Sequence, residues 1–253
     1  FTQLDLEMSF IEREDILALI EPLFIDIVEK LSDKQLLTKP FPRLKYQEVM
    51  DRFGTDRPDL RFGMELFDVS DLMAQSKFKI FSGTVASGGQ VKGICAAGCA
   101  DYSRKQIDAL TEQAQDNGAK GLAWLALKET DKGIQTRSSF AKFVSQAELN
   151  GVIERAGAQA GDMVLLVADQ PAVVAEVLCS LRLELGERLG LRDPDVLAYC
   201  WVLDFPLFTW NQEEKRWDPS HHLFTAPRPE DLPLLGTDPG AARGQQYDLV
   251  CNG

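Results

Sequence analysis

Strand patterns with one polar face lie near both ends of the chain, and they constrain the fold more than any other feature. Residues 3 to 10 alternate polar and apolar side chains with a period of two, which predicts a strand with Gln3 and Asp5 on its polar face. Residues 199 to 205 and 247 to 251 predict two more strands, and Asp248 faces away from Tyr247 and Leu249 in the last one. Two sequence-distant groups of strands therefore bracket the middle of the chain.

The middle of the chain has a different pattern. A glycine-rich stretch runs from Gly83 to Gly98, and Ser103 with Gln106 predicts a capping box that opens a helix ending at Gly118. Residues 122 to 127 and 162 to 167 predict buried strands, and residues 139 to 154 predict a helix. We interpret residues 66–172 as a compact α+β insertion between two parts of one sheet domain, residues 1–65 and 173–253.

Helical stripes flank the insertion. Residues 14 to 31 predict a helix that Pro22 is expected to kink or divide, and a short amphipathic segment ends at Gly54. Pro171 suits the first position of a long helix that ends at Gly190. A polar loop is predicted from about residue 209 to residue 233, and it contains the two histidines of the chain, His221 and His222.

Size, charge and cysteine content exclude several classes of protein. The 253 residues include 27 Lys and Arg against 39 Asp and Glu, and the net charge of −12 argues against a general basic surface for nucleic acid. The longest apolar run, residues 196 to 203, is far shorter than the roughly 20 residues that span a bilayer. The five cysteines contain no CxxC pair, which disfavours a disulfide framework or a zinc site. Because the chain opens at Phe1 rather than methionine, we expect an internal piece of a longer protein.

The residues alone leave the chemistry open. The polar face of the first strand fits a site for a polar ligand and equally a solvent-facing strand surface. The paired histidines fit metal ligands or general bases and equally solvated or capping residues. Neither a dinucleotide fingerprint nor a phosphate loop occurs in the glycine-rich stretch, and the aspartates between residues 56 and 71 have the spacing of turn and cap residues.

Five ordered blocks resemble the bacterial and organellar aspartyl-tRNA synthetases, which are class II enzymes. Residues 1 to 10, Phe1-Thr2-Gln3-Leu4-Asp5-Leu6-Glu7-Met8-Ser9-Phe10, resemble the second half of motif 2. The other four blocks are residues 54 to 61, 201 to 206, 221 to 227 and 247 to 253. Residues 66 to 172 resemble the insertion domain of that family. The fold implied is an α+β fold, a partial class II antiparallel catalytic sheet interrupted by an α+β insertion domain.

The resemblance also implies roles for individual residues. Phe1 matches the aromatic residue that stacks on the adenine of ATP, and Asp5 matches the carboxylate that binds the α-ammonium of aspartate. His221 matches the histidine of the active-site loop near the substrate carboxylate. Gln3 lies two residues from Asp5 on the same strand face and is a further candidate for the aspartate site. Asp248 matches a carboxylate that binds the magnesium ion of ATP, and no residue of this chain is implied as a catalytic nucleophile.

The reaction implied is the activation of L-aspartate by ATP and Mg²⁺ followed by transfer to the 3′ end of aspartate tRNA. The resemblance further implies a homodimer, no membrane partner, and a location in the bacterial cytoplasm or an organellar matrix. Leu223 and Cys251 depart from the residues usual in the family. The arginine of motif 3 is absent from the chain, and we expect the isolated chain to be inactive. Two alternatives stay open at this point: a non-catalytic tRNA-handling module that shares the insertion domain, and a paralogue that binds ligand without turnover. Whether asparagine tRNA is also charged is open as well.

Overall fold

The computed structural model describes residues 1–131 and 133–253. The α-helices in these residues are α1 (Arg13–Leu31), α2 (Tyr46–Phe53), α3 (Ser70–Met73), α4 (Lys79–Ala86), α5 (Arg104–Asp116), α6 (Gln146–Ala156) and α7 (Pro171–Arg188). The strands are β1 (Gln35–Leu36), β2 (Arg43–Lys45), β3 (Phe67–Asp68), β4 (Gln90–Ala96), β5 (Ala123–Thr130), β6 (Gly133–Ser138), β7 (Met163–Asp169), β8 (Val196–Leu197), β9 (Tyr199–Leu203), β10 (Phe208–Asn211), β11 (Arg216–Pro219) and β12 (Tyr247–Cys251). Short 3₁₀ helices cover Ala141–Phe143, Pro229–Gly236 and Pro239–Ala241.

The chain folds into two compact units. The first unit comprises residues 1–47, 59–61 and 193–253, and the second comprises residues 48–58 and 62–192. Each unit has its own sheet and its own hydrophobic core.

The first unit is built on a three-stranded sheet in the order β12-β9-β2. Strand β12 runs antiparallel to β9, and β2 runs parallel to β9. Helix α1 covers one face of this sheet, where Leu17 packs with Phe41, Trp201 and Leu203. The indole Nε1 of Trp201 donates a 2.8 Å hydrogen bond to Glu21 of the helix, so the polar edge of this large side chain is satisfied inside the core.

The second unit is a five-stranded antiparallel sheet in the order β3-β4-β7-β5-β6 with helices on both faces. Its central strand β7 is almost entirely buried, which explains its continuous apolar sequence. Helices α5 and α7 bury apolar residues on one face, and α3, α4 and α6 bury theirs on the other. The sheet is therefore a middle layer between two helical layers.

The fold class predicted from the sequence is confirmed, because the structure is α+β with a partial antiparallel sheet in the first unit. The functional domain boundaries near residues 65 and 172 stay predictions. Helix α7 begins at Pro171 and belongs to the second compact unit, where Leu178, Leu181 and Leu185 are fully buried.

Several local predictions are confirmed. Ser103 and Gln106 form a reciprocal capping box at the start of α5, and Gly54 follows α2 with a φ of +71°. A side chain at Gly54 would also lie 2.4 Å from the carbonyl oxygen of Ala175, so both conformation and space require glycine. Strands β9 and β12 form where their patterns predict them.

The structure differs from three predictions of secondary structure. Residues 3 to 10 form no strand, because no strand in the described residues pairs with them and an unpaired strand leaves its backbone groups without a ladder. Pro22 does not divide α1, which runs unbroken from Arg13 to Leu31 with this proline on its exposed side, and a kink at this residue stays a prediction. The predicted loop from residue 209 to residue 233 begins with the antiparallel hairpin β10–β11, in which Trp210 packs edge-on against Trp217.

A short segment of the first unit fixes where the chain leaves and re-enters it. Nε and Nη2 of Arg61 donate to the carboxylate of Asp59, at 3.0 and 2.7 Å. The third nitrogen, Nη1, donates to the carbonyl oxygen of Asp193 at 3.1 Å. Residues 61 and 193 flank the long 62–192 segment of the second unit, so this arginine holds its two ends close together.

Among the helices of the described ranges, none combines the length and the apolar character that crossing a membrane requires.

Candidate active site

The β9–β12 ladder carries one of the predicted site residues at its end. Tyr247 pairs with Leu203, the last residue of β9, and Asp248 pairs with Val202. Val202 is fully buried whereas Asp248 is exposed, so the carboxylate reaches solvent from a rigid strand. This position suits a group that must meet a ligand without moving.

His221 lies against the segment that follows β9. Its ring makes an edge contact with the ring of Phe205 at a centroid distance of 5.3 Å, and the histidine is otherwise exposed. The carbonyl oxygen of Phe205 accepts a 2.8 Å hydrogen bond from the amide of Gly244, four residues before Asp248. The structure therefore brings His221 and Asp248 to the same end of the β9–β12 pair.

The three predicted site residues of the N-terminal segment are not part of this arrangement. Phe1, Gln3 and Asp5 are exposed, and no hydrogen bond or ion pair connects them with the other residues that the structure describes. The alternation of residues 3 to 10 leaves Leu4 and Phe10 strongly exposed as well. The roles implied for these residues stay proposals.

Asp204 directly follows β9, and its buried carboxylate anchors the loop that carries His221. Asp204 accepts hydrogen bonds from Arg13 at 3.1 Å and Arg228 at 2.6 Å, and its side chain is 6% exposed. Burial opposes the charged form, but the hydrogen bond from Arg13 and the charge of Arg228 outweigh it, and the pKa of Asp204 is lowered. Asp204 also has a φ of +60°, a left-handed conformation that aspartate tolerates better than most residues.

A second buried carboxylate extends the network. Asp231 accepts three hydrogen bonds from Arg243, from the backbone N at 2.9 Å, from Nε at 2.7 Å and from Nη2 at 2.8 Å. These hydrogen bonds lower the pKa of Asp231 to about 2 although burial opposes ionisation. Glu230 contacts both Arg228 and Arg243, so the two carboxylate sites are joined.

The network borders a polar cleft of about 210 Å³ in the first unit. Its lining residues are Glu12, Arg13, Glu14, Arg228, Pro229 and Gln245. The guanidinium groups of this cleft already bind carboxylates of the protein, so their evident role is to hold the surrounding loops.

Sequence reasoning missed this network. Asp204 directly follows an apolar strand, and a charged residue at that point is a signal for a site or an anchor. Its partners Arg13, Arg228 and Arg243 are 191, 24 and 39 positions away along the chain, so their spacing gave no sign of the contact.

The donor set fits a magnesium ion that arrives with its own phosphate ligands. Asp248 offers an exposed hard carboxylate, and in the described part of the chain no three His, Cys, Asp or Glu side chains are grouped to hold a metal. Mg²⁺ keeps several water ligands and is usually bound by one or two carboxylates together with substrate phosphates. A single carboxylate therefore fits an ATP-bound ion rather than a protein cage.

Comparison with known proteins gives one family. The model of the tRNA synthetases class II (D, K and N) matches residues 1–253. A curated aspartate–tRNA(Asp/Asn) ligase of Rubrobacter xylanophilus is 54% identical over 252 residues, which is 100% of this chain and 41% of that protein. Its counterpart from Moorella thermoacetica is 52% identical over 253 residues, again 100% of this chain and 41% of that protein. An aspartate–tRNA ligase of Ruminiclostridium cellulolyticum is 45% identical over 256 residues, 100% of this chain and 42% of that protein. The chain thus spans about two fifths of the length of these relatives.

Proposed function

The chain belongs to the class II tRNA synthetases of the D, K and N group, and from this premise we propose that it is part of an aspartate–tRNA ligase. The observation that carries the proposal is the match of the whole chain, at 54% identity, to a relative named aspartate–tRNA(Asp/Asn) ligase. The reaction is the ATP-dependent formation of aspartyl-adenylate and transfer of the aspartyl group to the 3′ end of tRNA. The complete enzyme is proposed to be a homodimer in the bacterial cytoplasm or an organellar matrix.

Binding of aspartate and ATP is assigned to residues at the protein surface. Asp5 binds the α-ammonium of aspartate through a charge-assisted hydrogen bond, and Gln3 supports the same ligand. Phe1 stacks on the adenine of ATP. All three side chains are exposed, which leaves them accessible to a ligand.

His221 is proposed to meet the substrate near its carboxylate, and the structure supports this role through the loop that carries it. The amide of Ser220 donates to the carbonyl oxygen of Leu207 at 3.0 Å at one end of the loop. At the other end, Arg228 binds the buried carboxylate of Asp204. Because both ends are tied and Phe205 contacts the ring, the histidine needs little reorganisation to receive a ligand.

Asp248 is proposed to hold the magnesium ion of ATP, which when bound neutralises phosphate charge. The activation step itself needs no protein nucleophile, because the carboxylate of aspartate attacks the α-phosphate of ATP, the bond between the α- and β-phosphates breaks, and pyrophosphate leaves. The work of these residues is therefore to orient substrates and to compensate charge.

The test is aspartate-dependent ATP–pyrophosphate exchange by the complete protein that contains this chain. We expect exchange with L-aspartate and much less with L-asparagine, and charging of aspartate tRNA by the same preparation. Absence of exchange in a folded preparation would overturn the proposal and favour the tRNA-handling alternative. Charging assays with purified asparagine tRNA then decide the tRNA specificity.

A further inference from the structure

A cavity of about 400 Å³ opens in the second unit, and none of its lining residues belongs to the proposed active site. It is lined by Phe78, Ile80, Phe81, Thr84, Lys120, Gly121, Leu122, Ala123, Ser139, Phe140, Phe143, Leu166 and Ala168. Its volume lies within the range of about 300–1,000 Å³ that is typical of small-molecule sites. All of these residues belong to one compact unit, so the cavity is a property of that unit.

Four phenylalanine rings form much of the wall. Phe78 stacks on Phe143 at 5.1 Å with nearly parallel rings and meets Phe81 edge-on at 4.7 Å. Phe81 in turn contacts Phe140 at 5.6 Å. Ring surfaces arranged in this way favour a further aromatic group, which can add a stacked or an edge-on contact.

The polar groups of the wall are few and largely engaged. Thr84 Oγ1 donates to the carbonyl oxygen of Ile80 at 2.8 Å, and Ser139 Oγ accepts from the amide of Trp124 at 3.0 Å. A ligand with many hydrogen-bonding groups would lose its hydration here without replacement. The wall therefore selects an apolar body rather than a sugar or a nucleobase.

The surroundings of the cavity carry positive charge. Lys120 lines the cavity and is exposed, and its Nζ lies 3.5 Å from Asp169, the one acidic partner it has within ion-pair distance in the described chain. Lys142 places its Nζ 4.8 Å from the centroid of the Phe143 ring. Lys79 lies between two lining residues at the start of α4, where the helix has no side-chain cap and the helix dipole also favours an anion. Neither Lys79 nor Lys142 has a carboxylate within 4 Å in residues 1–131 and 133–253.

From the aromatic wall and this excess of cations we propose that the cavity binds a small anion with an aromatic body, of the aryl carboxylate class. The rings enclose the aromatic body, and Lys120 pairs with the carboxylate at the mouth of the cavity. The site is independent of aspartate activation and adds a ligand-binding function to the second unit.

The experiment uses naphthalene-2-carboxylate as the probe and the neutral 2-naphthalenemethanol as its matched comparison. Isothermal titration of the 253-residue chain is expected to give saturable one-to-one binding of the carboxylate, about fivefold tighter than that of the alcohol. Lys120→Gln is expected to remove this fivefold preference without weakening the alcohol. Phe143→Ala, at a half-exposed wall position, is expected to weaken both probes about tenfold.

Two control variants separate the cavity from other exposed groups of the chain. Lys105→Gln removes an exposed charge on α5, and Phe224→Ala removes an exposed ring of the first unit, and neither is expected to change either affinity. Far-ultraviolet circular dichroism confirms that each variant is folded. If the parent chain binds neither probe below millimolar concentration, or binds both equally, the proposal is wrong. Equal losses in the cavity variants and the control variants would overturn it as well.

Discussion

Asp231 and Arg243 are joined by three hydrogen bonds of 2.7 to 2.9 Å, one from the backbone and two from the guanidinium. The aspartate is buried, and this arginine lowers its pKa to about 2. Because Arg243 also contacts Glu230, the pair holds the segment between the hairpin β10–β11 and β12 in place.

Acid should therefore destabilise the first unit at unusually low pH. The pKa of Asp231 is lower in the folded chain than in the unfolded chain, so its contribution is full above about pH 4 and is lost as the pH falls through about 2. We expect a loss of about 2 kcal/mol across that interval. Urea unfolding followed by tryptophan fluorescence from pH 6 to pH 2 measures it, since Trp201, Trp210 and Trp217 lie in the first unit.

In the Asp231→Asn variant this pH dependence should be weaker, and the variant should be less stable than the parent at pH 6. Asp26→Asn, which removes only an exposed i,i+4 pair with Lys30, is the control and should leave the pH dependence unchanged. Parallel curves for the parent and Asp231→Asn would refute the assignment.

Asp5→Asn in the complete enzyme should weaken aspartate activation strongly while folding survives. The ammonium of the substrate loses its ionic partner, which costs about 2–5 kcal/mol for a desolvated pair. The measurement is kcat/KM for aspartate in ATP–pyrophosphate exchange. A variant within about threefold of the parent, a loss below roughly 0.7 kcal/mol, would remove Asp5 from the site.

The second unit should fold alone as residues 48–192 but not as residues 66–172. The shorter segment lacks nearly all of α7, whose residues Val174, Val177, Leu178, Leu181 and Leu185 are fully buried. Each such side chain contributes about 1.5–3 kcal/mol, so the five together contribute about 7–15 kcal/mol, as much as the margin of about 5–15 kcal/mol by which a domain is typically stable. Thermal unfolding followed by circular dichroism compares the two segments. A cooperative transition of the 66–172 segment would support the narrower boundary predicted from the sequence.

Arg182→Ala should destabilise the second unit by about 3 kcal/mol or more. The guanidinium of Arg182 is almost fully buried, donates to the carbonyl oxygens of Phe62 and Gly63 at 2.9 Å each, and lies 4.0 Å from the centroid of the Phe62 ring. Truncation removes the donor to both carbonyl oxygens and leaves a cavity beside the Phe62 ring. Hydrogen exchange of the β7 amides measures the loss of stability of the second unit.

Arg188→Ala on the same helix is the matched control for this substitution. It removes an i,i+4 pair with Glu184 at a partly exposed position and should cost no more than about 0.5 kcal/mol. Equal losses in the two variants would contradict a special role for the buried guanidinium.

Local signals predicted α1, α2, α5 and α7 but missed α3 and α4, and the helix predicted over residues 139 to 154 begins only at Gln146. The strands were also predicted only in part. The capping box at Ser103 depends on residues three positions apart, so the sequence contains the whole signal. Strand β4 lies inside the glycine-rich stretch that suggested no strand. Gly93 is required there because a side chain would meet the carbonyl oxygen of Leu165 at 2.4 Å, a contact across the sheet that the sequence cannot indicate.

In the candidate site too, the features set by neighbouring residues were predicted and those set by distant contacts were not. The pattern of residues 247 to 251 placed Asp248 on the polar face of its strand, and the structure agrees. The alternation of residues 3 to 10 is equally clear, yet pairing decides whether an alternating segment becomes a strand, and no described segment pairs with it. Asp204 escaped notice because a buried ion pair is defined by partners distant along the chain.

The hydrogen bond from Arg61 to the carbonyl oxygen of Asp193 has a consequence for how this chain can be shortened. Since the long 62–192 segment departs and returns at neighbouring points, a few glycines can replace it without stretching either flank. The sheet formed by β2, β9 and β12 keeps all of its strands in such a deletion. Gain or loss of residues 62–192 is therefore a change of one connection in the first unit: residues 48–58 of the second unit stay behind, and the three-stranded sheet is free to keep its registers.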